Sequence, residues 1–144
     1  MESSFSIKFK SNNNFKKARI GDSHDAKNYL LQLWDADINL IESVVILTLN
    51  RAHIVTGWAK VSQGNAGYSF VDIKMITKIA IDMMADAVII AHNHPSGELM
   101  PSSQDIKVFN RLKDALDVFG ICLLDSIILS TSGHHSMKDN CELV

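Results

Sequence analysis

Residues 87–105 read AVIIAHNHPSGELMPSSQD, and this stretch decides the fold. Its first six positions, Ala87 to His92, are apolar up to the histidine, which predicts a strand buried on both faces at the centre of a sheet. The chain's two prolines, Pro95 and Pro101, then enforce a loop. A helix follows over residues 103–119, where Ile106, Phe109, Leu112, Leu116 and Phe119 recur along one stripe and Gly120 supplies the stop. Strand, loop and helix therefore meet where two histidines, a serine and an aspartate are concentrated.

Working outward, residues 122–130 form the next apolar strand, and residues 134–137 add a short edge. Upstream, Ser69 and Asp72 carry a capping signal for a helix to about residue 85, with Ile73, Ile76, Ile79, Ala80 and Met83 on one face. Met75, Met83 and Met84 at helical spacing are read as core filler rather than a cofactor site. Before that helix come a buried strand at 44–49, a turn at 50–52, a second strand at 54–61 and a loop at 63–67. Ser23 is placed as the N-cap of a helix over 24–34 that turns Leu30, Leu31 and Trp34 toward the core. Phe5, Ile7 and Phe9 alternate as a short first strand. Alternating strands and helices imply an α/β sandwich, and the hairpin-like segment at 44–61 makes its sheet mixed.

A chain of 144 residues is a single-domain length, long enough to bury about two thirds of its unfolded surface. With 47% hydrophobic and 21% charged residues it falls in the globular class rather than the disordered one. Its apolar runs fall far short of the roughly 20 residues that span a bilayer, so no membrane partner is expected. Residues 1–10 lack the apolar core of a signal peptide, which points to the cytoplasm. Cys122, within an apolar strand, is expected to be a buried thiol and Cys141, in the polar tail, an exposed one, with no disulfide between them. The net charge of −2 hides an asymmetry. Lys8, Lys10, Lys16, Lys17 and Arg19, interleaved with Phe5, Phe9 and Phe15, form a basic arm that suits weak contact with a nucleic-acid backbone, although such runs are more often solvated surface.

The chemistry sits at the end of the 87–92 strand. His92 and His94 stand two apart, so their side chains leave on one face with α-carbons about 7 Å apart. Asp105, in the first turn of the following helix, returns to the same place as a third ligand. Three protein ligands with a vacant position describe a catalytic zinc site, at which the pKa of bound water falls toward about 7. Amide hydrolysis also needs a group that moves a proton from water to the leaving nitrogen. Glu42, just ahead of the 44–49 strand, is chosen for this role; spacing leaves Asp35, Asp37 and Glu98 open as alternatives. Ser102 is assigned to donate a hydrogen bond to the tetrahedral oxyanion. Ser102 and Asp105 equally fit a helix capping box. His24, His53, His134 and His135 lack ligand partners at useful spacing and are read as surface residues.

His92, Asn93, His94, seven residues, Ser102, two residues and Asp105 together match the JAMM signature His-x-His-x7-Ser-x2-Asp. Residues 92–97, with Val88 to Ala91 before them and Leu123, Leu124 and Asp125 after, resemble the RadC branch of the JAB/MPN superfamily. The resemblance covers roughly residues 23–136, and Glu42 with the strand after it is similar to the family's catalytic glutamate and its strand. It implies a cytidine-deaminase-like three-layer α/β/α sandwich with a mixed central sheet. It also implies one zinc held by His92, His94 and Asp105, and hydrolysis of a peptide or isopeptide bond in a protein or peptide substrate. Residues 1–22 are assigned to the basic arm and its short strand, and 23–144 to the JAMM domain. RadC-type proteins carry a DNA-repair label, so a nucleic-acid-associated accessory role, on mobile DNA for example, is the alternative. Ser126 stands where relatives often have a histidine.

Overall fold

The structure, a computed structural model, describes residues 17–34, 36–64 and 71–144. Three helices and five strands follow one another as α1 (Ser23–Leu33), β1 (Glu42–Leu49), β2 (Val55–Gly64), α2 (Ile73–Asp82), β3 (Ala87–Asn93), α3 (Ser103–Asp117), β4 (Cys122–Ser130) and β5 (Gly133–Ser136). The strands form one sheet in the order β2-β1-β3-β4-β5. β1 runs antiparallel to both β2 and β3, β3 parallel to β4, and β4 antiparallel to β5. The sheet is therefore mixed. Its one parallel pair is joined through α3, because parallel neighbours need a crossover long enough to return the chain to the starting end.

β3 lies at the centre, and its seven residues are all buried. Side-chain alternation divides the interior into two layers. Val45, Leu47, Ile89, Ala91, Ile127 and Leu129 face α1 and pack with Ala26, Tyr29 and Leu30. Val44, Ile46, Val88 and Ile90 face the opposite way, against Ile76 and Ala80 of α2 and Phe109, Leu112 and Leu116 of α3. Each fully buried Leu, Ile or Phe contributes about 1.5–3 kcal/mol. The result is an α/β/α three-layer sandwich. His92 shares the parity of Val88 and Ile90, so it emerges on the α2–α3 side.

Several local expectations are corrected. Asp22, not Ser23, caps α1, its carboxylate accepting from the Asp25 N–H at 2.9 Å, and Ser23 opens the helix. Leu30 is fully buried, but Leu31, one residue further round the helix, faces outward. Asp72 caps α2 through the Met75 N–H, and the helix stops at Asp82 instead of reaching residue 85. Met84 consequently lies beyond α2 with a left-handed backbone, and both it and Met75, on the outer side of α2, are exposed rather than filling the core. α3 ends at Asp117, so Phe119 has left the apolar stripe and is exposed, while Gly120, at φ 70°, turns the chain toward β4. Cys122 is exposed like Cys141, because it is the first residue of β4 and lies ahead of the covered part of the strand. β2 extends to Gly64, through the start of the expected loop, and β5 is set one residue earlier than the edge expected at 134–137.

Three of the four histidines outside the signature are half-buried rather than on the open surface. His134 meets His24 edge-on, with ring centroids 5.0 Å apart, and its Nε2 lies 3.3 Å from Ser23 Oγ. His135 Nε2 lies 2.7 Å from the Glu142 carboxylate. The short strand at Phe5, Ile7 and Phe9, most of the basic arm, Asp35 and Ser69 lie outside the described residues. Among the described residues no helix is long and apolar enough to cross a membrane.

Candidate metal centre

The ladder between β1 and β3 ends at the pair Val44↔His92, with Glu42 and His94 each two residues past it on adjacent strands. Two steps along a strand return a side chain to the same face, so Glu42, His92 and His94 leave the sheet rim on one side. Their ligand atoms all lie within 4.8 Å of one another, the geometry of a group able to hold a metal ion. The two imidazoles sit with ring centroids 4.9 Å apart and planes inclined by 64°.

The histidines differ in environment. His92 is buried, its ring stacked on Phe109 of α3 at 5.5 Å, and neither Nδ1 nor Nε2 has a hydrogen-bond partner among the described residues. A buried imidazole without partners forgoes the hydrogen bonds it made to water. A cation accepting one nitrogen lone pair removes part of that deficit, so the residues present fit a bound metal. Burial, and then the neighbouring charge of His94, lowers the His92 pKa from 6.5 to about 4, against an opposing pull from Asp105. At neutral pH the ring is uncharged, the form that ligates metals. His94 lies at the edge of the groove, and its Nδ1 sits 2.6 Å from the Glu98 carbonyl. That carbonyl can only accept, so Nδ1 carries the proton and Nε2 keeps its lone pair for a ligand. The Pro95–Ser96 turn allows this contact: Gly97 adopts φ 85°, and its N–H donates to the His94 carbonyl at 2.9 Å.

Ser102 and Asp105 form the capping box of α3. Asp105 N–H donates to Ser102 Oγ at 3.0 Å, and Ser102 N–H donates to Asp105 Oδ2 at 2.8 Å. Both side chains line the same groove as Glu42 and His94. Asp105 is near enough to act on the charge of His92, yet it stands outside the set of ligand atoms that converge within 4.8 Å. Of the alternatives to Glu42, Glu98 lines the groove while its carboxylate accepts from the Met100 N–H at 3.0 Å, and Asp37 is absent from the groove lining. Phe109 was legible only as a core position. Its stacking on His92 depends on how α3 lies across β3, which periodicity does not encode.

The sequence model of the RadC-like JAB domain matches residues 20–142. The chain belongs to the RadC-like JAB domain family. Curated relatives agree. A UPF0758 protein of Clostridium botulinum (strain Eklund 17B) is 34% identical over 133 residues, 87% of this chain and 58% of that protein. One from Staphylococcus epidermidis is 39% identical over 98 residues, covering 68% of this chain and 43% of that protein. One from Carboxydothermus hydrogenoformans is 43% identical over 97 residues, covering 67% and 43% respectively. This RadC-like JAB domain thus spans about half the length of the curated relatives it matches. The five-stranded mixed sheet with its three helices agrees with that family.

Proposed function

We propose that this RadC-like JAB domain is a zinc-dependent hydrolase that cleaves an amide or isopeptide bond in a protein or peptide substrate. The observation that carries the reading is the convergence of Glu42, His92 and His94 at one sheet rim, with both ring nitrogens of His92 buried and without a hydrogen-bond partner among the described residues. His92, His94 and Asp105 would hold the ion, and Glu42 would be left free for proton transfer. A bound zinc supplies Lewis-acid activation of water and of the scissile carbonyl.

The chain's own groups account for the remainder. Glu42 takes a proton from the attacking water as its oxygen bonds to the carbonyl carbon, then passes that proton to the nitrogen as the C–N bond breaks. Ser102 keeps its hydroxyl hydrogen in the capping box, since Oγ only accepts from Asp105 N–H there, and that hydrogen is available to the oxyanion. The groove beside these residues measures about 1110 Å³ and is walled by Leu40, Val71, Ile73, Met100 and Val108, with Arg111 also on its lining. A groove of this volume with apolar walls beside the polar groups of the site favours a polypeptide segment over a small polar solute.

Metal analysis and variants of the full chain test this reading. About one zinc per chain is expected, lost in His92→Ala and Asp105→Ala and retained in Glu42→Gln, which then releases no product from a peptide and isopeptide library that the parent cleaves. Metal retention in His92→Ala overturns the site. Loss of metal in Glu42→Gln with retention in Asp105→Ala overturns the assignment of ligand and base.

A further inference from the structure

Asn93, the residue between the two histidines, is a variable position in the signature. In the fold, alternation sends the Asn93 side chain to the face opposite His92 and His94, where it is fully buried. Its Oδ1 accepts the Ser43 N–H at 2.7 Å. Its Nδ2 donates to the Ile41 carbonyl at 2.8 Å and to the Ile38 carbonyl at 2.6 Å. Ile41 and Ser43 are the neighbours of Glu42 on either side. One amide therefore grips the peptide groups immediately before and after Glu42.

The position of this grip matters because the backbone ladder between β1 and β3 stops at Val44↔His92. Beyond that pair, the Asn93 side chain supplies the hydrogen bonds that tie the start of β1 to β3. Tying both flanking peptide groups restricts the backbone of Glu42 and so aims its Cα–Cβ bond. Only a primary amide of this length provides one acceptor and two donors at one carbon: Asp loses the donors, Ser is too short to bridge all three groups, and Gln carries an extra methylene. We infer that Asn93 is the positioning residue for Glu42, holding its carboxylate at fixed height beside His92 and His94 from the opposite face of the sheet. The inference rests on the role given to Glu42 above.

Cobalt(II) loaded into the full chain tests it, because its visible bands report the geometry around the ion independently of turnover. Wild type, Glu42→Gln, Asn93→Ala and the double variant are compared. Asn93→Ala is expected to bind one equivalent of cobalt within about threefold of the parent affinity and to shift the bands in the same direction as Glu42→Gln. The double variant is expected to reproduce the Glu42→Gln spectrum. If Asn93→Ala does not accumulate as folded protein, Asn93→Ser, which places a small polar hydroxyl on Cβ but cannot bridge all three backbone groups, is read by the same criteria. A parental spectrum in the Asn93 variant, additive changes in the double variant, or a cobalt affinity weakened more than tenfold overturns the inference, the last by making Asn93 a support of the histidines instead. Bands unmoved in Glu42→Gln but moved in Asn93→Ala would overturn this inference alone, whereas loss of cobalt in Glu42→Gln would defeat the functional reading, which leaves Glu42 off the ion, and this inference with it.

Discussion

Phe109 of α3 lies against His92 of β3 with ring centroids 5.5 Å apart and planes inclined by 25°. The helix that carries Asp105 in its first turn is thereby seated, one turn later, on the imidazole at the centre of the site. Phe109→Leu keeps an apolar side chain but removes the flat partner, and should cost about 1–2 kcal/mol of stability. Zinc affinity should fall about tenfold, as for other losses of support behind a ligand. Urea denaturation and competition with a chromogenic chelator measure the two effects. An unchanged affinity would show that the stacking does not orient His92.

Metal-free protein should be acid-sensitive through His92. Its folded pKa, about 4, lies below the ordinary 6.5, so the unfolded chain binds the extra proton between these values. Stability from this group is complete above pH 6.5 and is lost as pH falls toward 4, by about 3 kcal/mol in all. Urea midpoints measured in chelator across that window should fall steeply for the parent and less steeply for His92→Ala.

Added zinc should raise the thermal midpoint. A ligand present at 100 times its Kd stabilises the state it binds by about 2.7 kcal/mol. The parent should show that gain and His92→Ala should not. Equal gains in both would locate the metal elsewhere.

Asp125 titrates with the opposite sign. It is buried, and burial raises its pKa, although hydrogen bonds from Ser136, Lys138 and Ser126 partly offset the shift. The folded chain holds the proton more tightly than the unfolded one. The favourable contribution is therefore complete below about pH 4, the ordinary aspartate range, and is lost as pH rises through the raised folded value. Asp125→Asn is nearly isosteric and uncharged, so its stability relative to the parent should increase with pH over that interval. A difference that stays constant with pH would exclude the shift.

Gly97→Ala isolates backbone strain. A Cβ at Gly97 would meet no atom within 4 Å, so the cost comes from φ 85° alone. About 1 kcal/mol is expected, or roughly 3 °C in Tm. The Glu98 carbonyl that holds His94 Nδ1 follows directly, so zinc affinity should weaken as well.

The central strand, the helix stripe and the spacing of the signature were legible because each is local. An unbroken apolar run such as Ala87 to Ala91 has few places to go but the middle of a sheet, and a 3.6-residue stripe such as Ile106, Phe109, Leu112 and Leu116 commits one helix face to a core. Errors gathered at element ends, where capping side chains and side-chain direction compete. Asp22 outcompeted Ser23, Phe119 left its helix, and Cys122 fell ahead of the covered strand.

From the order of residues alone came the α/β class, the mixed sheet and the candidates Glu42, His92, His94, Ser102 and Asp105. Tertiary structure decided which of them converge, because Glu42 and His92 are fifty residues apart in the chain and meet only through the register Val44↔His92. It also decided that Phe109 backs a histidine and that Asn93 holds the backbone on both sides of Glu42. Local pattern specifies which face a side chain takes, whereas distance between strands and helices arises only when the whole sheet pairs and the layers pack.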